Sequence, residues 1–356
     1  SNLGEFLVTA KNKLDRYEWE DVGKKVRPYY VQNGGLAMLY SAPIQAYADV
    51  QVPFWEDPKS CNAHKFAWNK GGADRLISWV EVVKALGPGF YAVSYSDDCL
   101  FVLVTQSGEV LIADPDFAQL DQSASACWLP LAQAHFRRVF KGKADKTWGS
   151  IIDLAVRSIW TAPAVIYTSS LVYCSTNGIH SGAPGTAEAD QLTVAGAITL
   201  LRRHLGPGTG PAFATADAAK AAFQEAAKAL QTRTGLKFKP FEWYPYQTGA
   251  ASYLWSFLGK RLVRYDSSHY LPQVDRVKAI GTLITPKVLQ KDGTSGRIRA
   301  LMDRMRGLAV TTLFSYPPLF QVVKEIYERY LDKGHTPAAT LEAGDCEESD
   351  AVSVLG

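Results

Sequence analysis

Three aspartates lie at the ends of apolar runs near the middle of the sequence. Asp97 and Asp98 form an adjacent pair between two runs rich in β-branched and aromatic residues, and Asp116 follows a third run. Such runs favour β-strands, and a short polar stretch between two of them favours a tight turn. Hard divalent cations such as Mg²⁺ prefer oxygen ligands. The three carboxylates are therefore candidates for a metal site.

The lengths of the runs predict where the third aspartate lies. About seven residues separate Asp98 from a turn at residues 106–108, and about eight lead from that turn to Asp116. Two arms of similar length, at about 3.3 Å per residue, should bring Asp116 beside Asp97. Neighbouring strands lie about 4.8 Å apart and paired metal ions about 3.5–4 Å apart, so these carboxylates could bridge two ions. An ordinary acidic surface turn is the alternative, and the turn alone does not exclude it.

The elements around these strands can be predicted from periodicity and from turn residues. Apolar residues recur at helical spacing over residues 74–84, and Gly87, Pro88 and Gly89 end that helix. Further helices are predicted at about 130–140, 150–162, 186–205, 217–233, 274–283, 296–310 and 318–333. The pattern therefore predicts an α+β fold.

Other segments are predicted to be strands or loops. Residues 165–173 and 236–244 are strand-like, and residues 252–264 are typical of a hairpin with Gly259 at its turn. Residues 31–65 contain several glycines and prolines, which predicts a loop-rich region.

Composition bounds the class of protein. The chain has 356 residues, 47% of them hydrophobic, which is enough for a large core and two or three subdomains. A net charge of +3 is too small to indicate a partner, so any nucleic-acid surface must be a local basic patch. Five scattered cysteines predict neither a disulfide framework nor a metal-thiolate site. No run approaches the length of a membrane span.

Two further segments suit a phosphate-bearing ligand. Residues 11–30, the basic segment, contain six Lys and Arg side chains, including Lys25 and Arg27, which neutralise phosphate charge. A lysine-protected edge strand is the alternative. Residues 175–190 form a Gly- and Ser-rich loop that opens a helix and lets a ligand approach the backbone closely. An ordinary flexible loop is the alternative there.

Together these segments resemble the motifs of viral RNA-dependent RNA polymerases. The matches are residues 23–29 with motif F, 116–121 with motif A, 181–190 with motif B, 95–98 with motif C, Lys237 or Lys239 with motif D, and 257–260 with motif E. Motif C precedes motif A here, whereas it follows motif B in most such enzymes. This order is similar to the permuted polymerases of permutotetraviruses and birnaviruses, and the Asp-Asp pair favours the permutotetravirus type.

The resemblance implies template-directed RNA synthesis in viral genome replication and transcription. Asp97, Asp98 and Asp116 would hold two Mg²⁺ or Mn²⁺ ions, and Lys237 or Lys239 would protonate the leaving pyrophosphate. The nucleotide would be bound by a larger set: Lys25 and Arg27 at the triphosphate, Asp121, Ser181 and Asp190 at the 2′-hydroxyl, and Gly182 and Thr186 in the same motif as Ser181. The family usually has Asn at position 190, whereas Asp, when ionised, can accept hydrogen bonds but not donate them.

The resemblance also implies an architecture. A right-hand polymerase palm, made of an antiparallel sheet with helices in permuted connectivity, would be joined to a mostly helical thumb. The expected boundaries are partial fingers with motif F at 1–89, palm at 90–250, motif E and thumb at 251–335, and an acidic, disordered tail at 336–356. Because few residues precede motif F, the fingers are expected to be incomplete.

The expected partners are template RNA, a primer or product strand, nucleoside triphosphates and other viral proteins, in host cytoplasm or virion. An inactive or partial palm that binds RNA is the main alternative. A glycoside hydrolase would also use paired carboxylates, but without metals, and it leaves the basic segment unexplained. A reverse transcriptase or DNA polymerase would share the aspartates but should lack Asp121 together with the 181–190 motif.

Overall fold

The structure, a computed structural model, describes most of the chain. It covers residues 8–12, 28–140, 146–166, 169, 171–174, 178–205, 213–284, 293–312 and 316–336. Most of the basic segment, with Lys25 and Arg27, and nearly all of the predicted acidic tail lie outside the described residues. The chain divides into two compact units, the first made of residues 1–65 and 82–246 and the second of residues 66–81 and 247–356. The predicted fingers, palm and thumb boundaries stay predictions.

The first unit is organised around an antiparallel sheet that carries the aspartates. Its strands, in spatial order, are β3 (Gly89–Tyr95), β4 (Asp98–Val104), β5 (Val110–Ala113) and β8 (Tyr244–Pro245). Every residue of β5, and all of β4 except Asp98, is buried. Strands buried on both faces read as continuous apolar runs rather than as alternating ones, and this explains why these runs were recognisable from sequence.

A second sheet of the first unit has strand order β2-β1-β6-β7. Its strands are β1 (Val8–Asn12), β2 (Pro28–Val31), β6 (Ala164–Ile166) and β7 (Val172–Tyr173). Strand β1 pairs parallel with β6, and the other pairs are antiparallel. Residues 28–30 of strand β2 are the last three residues of the basic segment.

In the described part of the chain, seven α-helices occur before the second unit's sheet. They are α1 (Gly34–Asp49), α2 (Gly72–Leu86), which crosses the boundary between the units, α3 (Leu120–Ser123), α4 (Leu129–Val139), α5 (Lys146–Thr161), α6 (Thr186–Leu205) and α7 (Ala216–Thr234). Helix α6 contacts β3 and α7. Phe90 and Phe101 of the sheet pack with Phe223 of α7 and with Phe238 in one core, with ring centroids 5.2–6.0 Å apart where these rings meet. This core supports strands β3, β4 and β5, which carry the acidic residues at their ends.

The second unit has its own sheet and helical core. Strands β9 (Ser252–Phe257), β10 (Lys260–Arg264) and β11 (Tyr270–Val274) form an antiparallel sheet, as the predicted hairpin required. Helices α8 (Arg276–Ile284), α9 (Gly293–Thr312) and α10 (Pro317–Asp332) follow. Their core contains Met302, Met305 and Val323, all fully buried. Within the part of the chain that the structure describes, every helix is too short or too polar to span a lipid bilayer.

The α+β prediction is confirmed, but the loop-rich prediction for residues 31–65 is wrong for residues 34–49 and holds for residues 51–65, which form turns and irregular structure. Helix α1 occupies much of this region because the Asn33 side chain accepts a hydrogen bond from the Gly35 amide at 2.9 Å and caps the helix. Tyr40, Ile44 and Tyr47 then fall on one buried face. The glycines at the start and Pro43 within the helix hid this periodicity.

Two strand predictions were also wrong in extent. Residues 165–173 do not form one strand, because the chain forms the short strands β6 and β7, which pair with each other. Residues 236–244 contribute only a single bridge between Phe238 and Phe117 before β8 begins. Apolar and polar residues alternate over 236–241, but within 236–243 only Phe238 forms a bridge.

Candidate active site

The acidic turn, residues 95–98, connects β3 to β4. Tyr95 pairs with Asp98 across the hairpin, which leaves Ser96 and Asp97 as a two-residue loop. Asp98 in turn forms an antiparallel bridge with Asp116, continuing the register in which Phe101 pairs with Ala113. Asp116 was predicted to lie beside Asp97 at the same end of the sheet. The end of the sheet is confirmed, but the direct cross-strand partner of Asp116 is Asp98.

Asp98 and Asp116 lie on the same face of the sheet. Directly opposed residues of antiparallel strands have Cβ atoms about 4.5–5.5 Å apart. Asp98 is exposed, whereas Asp97 and Asp116 are partly exposed. Both carboxylates of the bridge therefore stand at an edge that a solvent-borne ligand can reach.

The charge of the three carboxylates affects the pKa of the buried Cys99 thiol. Burial raises the pKa of the Cys99 thiol well above its usual value, and the negative charges of Asp98, Asp97 and Asp116 act in the same direction. All three carboxylates thus act electrostatically on one buried atom. Within the described residues no group of three or more His, Cys, Asp or Glu side chains is gathered closely enough to enclose a metal ion.

A lysine contacts the third aspartate. Lys239 forms an ion pair with the Asp116 carboxylate, and its backbone amide donates to the Asp116 carbonyl at 2.8 Å. Both side chains are about half exposed, so the pair contributes at most about 1 kcal/mol to stability. A positive charge already lies at Asp116, and the donors along this edge are carboxylate oxygens. Carboxylate oxygens are the ligand type that hard divalent cations prefer.

Lys237 and Lys239 are placed differently. Residues 237–239 run antiparallel beside residues 116–118, because the Ala118 amide donates to the Lys237 carbonyl at 2.7 Å and Phe238 packs on Phe117. Both lysine side chains are exposed, yet the ion pair with Asp116 involves Lys239. Of the two motif D candidates, Lys239 is the one that the structure brings to the acidic edge.

Helix α6 reaches the acidic turn through two buried side chains. The Ser96 hydroxyl donates to the Asp190 carboxylate at 3.0 Å, and the Ser96 amide donates to the side-chain oxygen of Gln191 at 3.0 Å. The Gln191 side-chain amide donates in turn to the Ser94 hydroxyl at 2.8 Å. Asp190 is 5% exposed and Gln191 is 9% exposed. Gln191 was not predicted, because its sequence context gives no signal that it faces β3.

These contacts support an unfavourable backbone conformation. Ser96 has a φ of +55°, a left-handed value that costs a residue with a side chain about 1–2 kcal/mol. Each hydrogen bond from helix α6 contributes about 1 kcal/mol. The two bonds to Ser96 are therefore of the magnitude needed to offset the strain of the turn.

The loop before helix α6 is attached to strand β2. The Tyr30 amide donates to the Ser181 carbonyl at 2.7 Å. Gly182 has a φ of +98°, and a Cβ there would come within 2.9 Å of the Tyr30 carbonyl oxygen, so glycine is required. The Thr186 hydroxyl donates to the His180 and Ala183 carbonyls at 2.9 and 2.7 Å, which closes the loop onto the helix start.

His180 supports the same loop. It is 2% exposed, stacks on Tyr30 with ring centroids 4.3 Å apart, and contacts the Ser158 carbonyl through Nδ1 at 3.1 Å. Burial lowers the pKa of His180, so the ring is kept neutral.

The predicted site residues are thus only partly brought together. Asp97, Asp98, Asp116 and Lys239 share one edge, and Asp190 reaches that edge through Ser96. Ser181, Gly182 and Thr186 belong to the loop fastened to β2. Asp121 lies in helix α3, but its side chain, like Lys25 and Arg27, lies outside the described residues.

The sequence matches one family model. Residues 3–248 match the model described as "Permutotetravirus RNA-dependent RNA polymerase palm domain". The sequence resemblance to permuted viral polymerases is thereby confirmed. No curated protein matches the chain.

Solved viral polymerases have a similar fold. The RNA polymerase VP1 from Infectious Pancreatic Necrosis Virus is similar with a TM-score of 0.71 and 14% identity over 94% of this chain and 46% of that chain. The birnavirus VP1–VP3 complex gives 0.71 and 14% over 93% and 46%. The Sicinivirus 3Dpol RNA-dependent RNA polymerase gives 0.61 and 11% over 99% and 68%. The chain spans about half the length of the first two structures.

Proposed function

Because the chain belongs to the permutotetravirus RNA-dependent RNA polymerase palm family, we propose that it acts in template-directed RNA synthesis. The reaction is nucleotidyl transfer from a nucleoside triphosphate to the 3′-hydroxyl of an RNA strand paired with a template. The observation that supports this proposal most directly is the bridge between Asp98 and Asp116 beside the turn residue Asp97. The bridge brings the acids of motifs A and C together although motif C precedes motif A in this sequence.

The three aspartates would hold two Mg²⁺ or Mn²⁺ ions. When bound there, the ions supply Lewis-acid chemistry, lowering the pKa of the attacking hydroxyl and neutralising charge on the leaving pyrophosphate. Asp98 and Asp116 are suited to this by their shared face and their exposure, and carboxylates are the ligands that these hard cations prefer.

Lys239 is the better candidate for the general acid. Its ammonium group lies at the Asp116 carboxylate, so it is near the place where phosphate groups would meet the metal ligands. It would hold its proton there and donate it to the pyrophosphate oxygen as the bond to the α-phosphorus breaks. Lys237 is exposed two residues away and serves as the comparison.

The remaining predicted residues would bind the nucleotide. Asp121, Ser181 and Asp190 would contact the 2′-hydroxyl, with Gly182 and Thr186 shaping the loop, and Lys25 and Arg27 would bind the triphosphate. In this arrangement Asp190 uses one carboxylate oxygen for Ser96. An Asp190→Asn variant should therefore change the ratio of ribonucleotide to deoxyribonucleotide incorporation, and an unchanged ratio would remove Asp190 from sugar selection.

The partners and location follow from the same family membership. Template RNA, a primer or product strand and nucleoside triphosphates are the substrates, and replication would take place in host cytoplasm. Other viral proteins are proposed as partners because a similar birnavirus VP1 forms a complex with VP3. An RNA-binding palm without activity is the second candidate, because the chain spans 46% of the VP1 structure.

Primer extension distinguishes these candidates. The protein is incubated with a primed RNA template, nucleoside triphosphates and Mg²⁺ or Mn²⁺, and compared with Asp116→Asn. Glu109→Gln is the control, since it removes an exposed carboxylate at the opposite end of strand β5. We expect extension by the wild type and the control but not by Asp116→Asn. RNA binding without extension in all three proteins would favour the non-catalytic candidate.

A further inference from the structure

We propose that Gln191 is a positioning residue that holds the acidic turn in its metal-binding conformation. This role rests on the proposed function, because it assigns to Gln191 a contribution to the metal site. Gln191 would touch neither metal nor substrate. It would act through the backbone of Ser96 and the side chain of Ser94.

Both polar atoms of the Gln191 side-chain amide form hydrogen bonds. Its oxygen accepts the Ser96 amide at 3.0 Å, and its nitrogen donates to the Ser94 hydroxyl at 2.8 Å. The oxygen of a side-chain amide accepts and its nitrogen donates, so one uncharged group makes both contacts. Glutamate at this position would lose the donor, and leucine would lose both contacts.

Gln191 contacts residues at the end of strand β3 that leads into the acidic turn. Ser94 is the next-to-last residue of the strand, which helix α6 contacts, and Ser96 is the first residue of the two-residue loop. Ser94 is fully buried, and its amide donates to the Cys61 carbonyl at 2.8 Å. Gln191 therefore links a fixed point in the core to the first residue of the two-residue loop.

The second residue of that loop is Asp97. Ser96 has a left-handed φ, which residues other than glycine rarely adopt. This backbone conformation sets the direction in which the chain continues to Asp97. The hydrogen bond from the Ser96 hydroxyl to Asp190 supports the same residue from the preceding helix position. Gln191 adds the contact to the backbone amide, which no substitution at Ser96 itself can replace.

The test compares Gln191→Leu with Thr193→Val. Thr193 is a buried residue of the same helix, and its hydroxyl has no hydrogen-bond partner among the described residues. Three quantities are measured on each full-length protein: hydrogen exchange at the Ser96 amide, Mn²⁺ affinity by calorimetry, and primer extension as a function of Mn²⁺ concentration.

We expect Gln191→Leu to speed exchange at Ser96 and to weaken Mn²⁺ binding about tenfold, the usual effect of losing a partner that orients a metal ligand. The Mn²⁺ concentration for half-maximal extension should rise in parallel, and Thr193→Val should match the wild type. Adding Ser96→Gly to Gln191→Leu should restore Mn²⁺ affinity, because glycine adopts the left-handed conformation without support.

Two results would overturn the proposal. One is unchanged exchange at Ser96 in Gln191→Leu. The other is faster exchange with unchanged Mn²⁺ affinity, which would make Gln191 a purely structural residue. Failure of the proposed function is distinguishable from both, since a wild type that binds Mn²⁺ but extends no primer still allows exchange and affinity to be compared.

Discussion

Two hairpins of this chain have two-residue loops but are supported in different ways. In the β3–β4 hairpin the loop is Ser96 and Asp97, and in the β9–β10 hairpin it is Leu258 and Gly259. The first loop residue is left-handed in both, with φ values of +55° and +48°. Only the β9–β10 loop follows it with a glycine, also at positive φ, which is the pattern that two-residue turns favour.

The β3–β4 loop replaces the glycine with contacts from far along the chain. Asp190 and Gln191 bond to Ser96 from 94 and 95 residues away. The β9–β10 loop has a sequence that can form its turn locally, whereas the acidic turn depends on helix α6 being in place. The acidic turn therefore has an aspartate where the β9–β10 loop has a glycine, and hydrogen bonds from helix α6 stabilise it.

The largest effect is expected when the acidic turn is given the loop composition of the other hairpin. Asp97→Gly makes the second loop residue glycine in both hairpins. We expect primer extension to fall by at least about a thousandfold, since a metal ligand contributes several kcal/mol to the transition state. Folding should be preserved in thermal unfolding. Extension close to that of the wild type would contradict the assignment of Asp97 to the metal site.

A smaller effect is expected at Lys239, which contacts Asp116 from a distant part of the sequence. Lys239→Met removes the ammonium group beside Asp116 and should slow extension by about a hundredfold, the usual contribution of a general acid. Lys237→Met is the matched control and should extend nearly as fast as the wild type. Equal losses in the two variants would show that proximity to Asp116 does not select the general acid.

An alanine substitution in each loop tests what stabilises that loop, the hydrogen bonds to Ser96 in one and the glycine at position 259 in the other. Ser96→Ala keeps the strained φ and removes a donor from the buried Asp190 carboxylate, so it should lower the free energy of unfolding by about 2–3 kcal/mol. Gly259→Ala costs about 1 kcal/mol, because its φ of +69° is unfavourable for alanine but no atom lies within 4 Å of the new Cβ. Chemical denaturation measures both. A larger loss for Gly259→Ala would contradict the comparison.

The smallest effects are expected in the pH dependence of the two units. Burial lowers the pKa of His180 below 6.5, so the unfolded chain binds the proton first and the first unit loses stability as pH falls from about 6.5. The hydrogen bond that His269 donates to the Asp266 carboxylate raises the pKa of His269, so its contribution to stability is present below about 6.5 and is lost as pH rises through the raised value.

Unfolding measured between about pH 5 and pH 8 separates these contributions. His180→Gln should reduce the loss of stability on the acid side, and His269→Gln should reduce the gain there. The same direction of change in both variants would contradict the opposite pKa shifts.

The acidic edge could be predicted because strand geometry is regular. The rise per residue, the turn at residues 106–108 and the buried apolar runs were enough to place Asp116 opposite the Asp-Asp pair. The long helices of the second unit were predicted for the same reason, as their apolar periodicity is uninterrupted. Helix α1 was missed because its capping depends on the Asn33 side chain, whereas its Gly and Pro residues are typical of loops.

Two features of the site could not be predicted from the sequence. Lys237 and Lys239 alternate with a buried phenylalanine, so both are exposed, and only the pairing of residues 116–118 with 237–239 decides which one contacts Asp116. Gln191 is one of several polar residues early in helix α6. Its function depends on which side of that helix meets β3, and this is a property of the tertiary fold.

The buried sulfur beneath the acidic edge has a practical consequence for chemical labelling. A thiol reacts as the thiolate, and burial together with the nearby carboxylates keeps Cys99 protonated. Among the cysteines that the structure describes, Cys127 and Cys174 are exposed. Of the described cysteines, a maleimide fluorophore should therefore modify Cys127 and Cys174 and spare Cys99 in the β3–β4 hairpin, so ligand binding can be followed optically with that sulfur left in place.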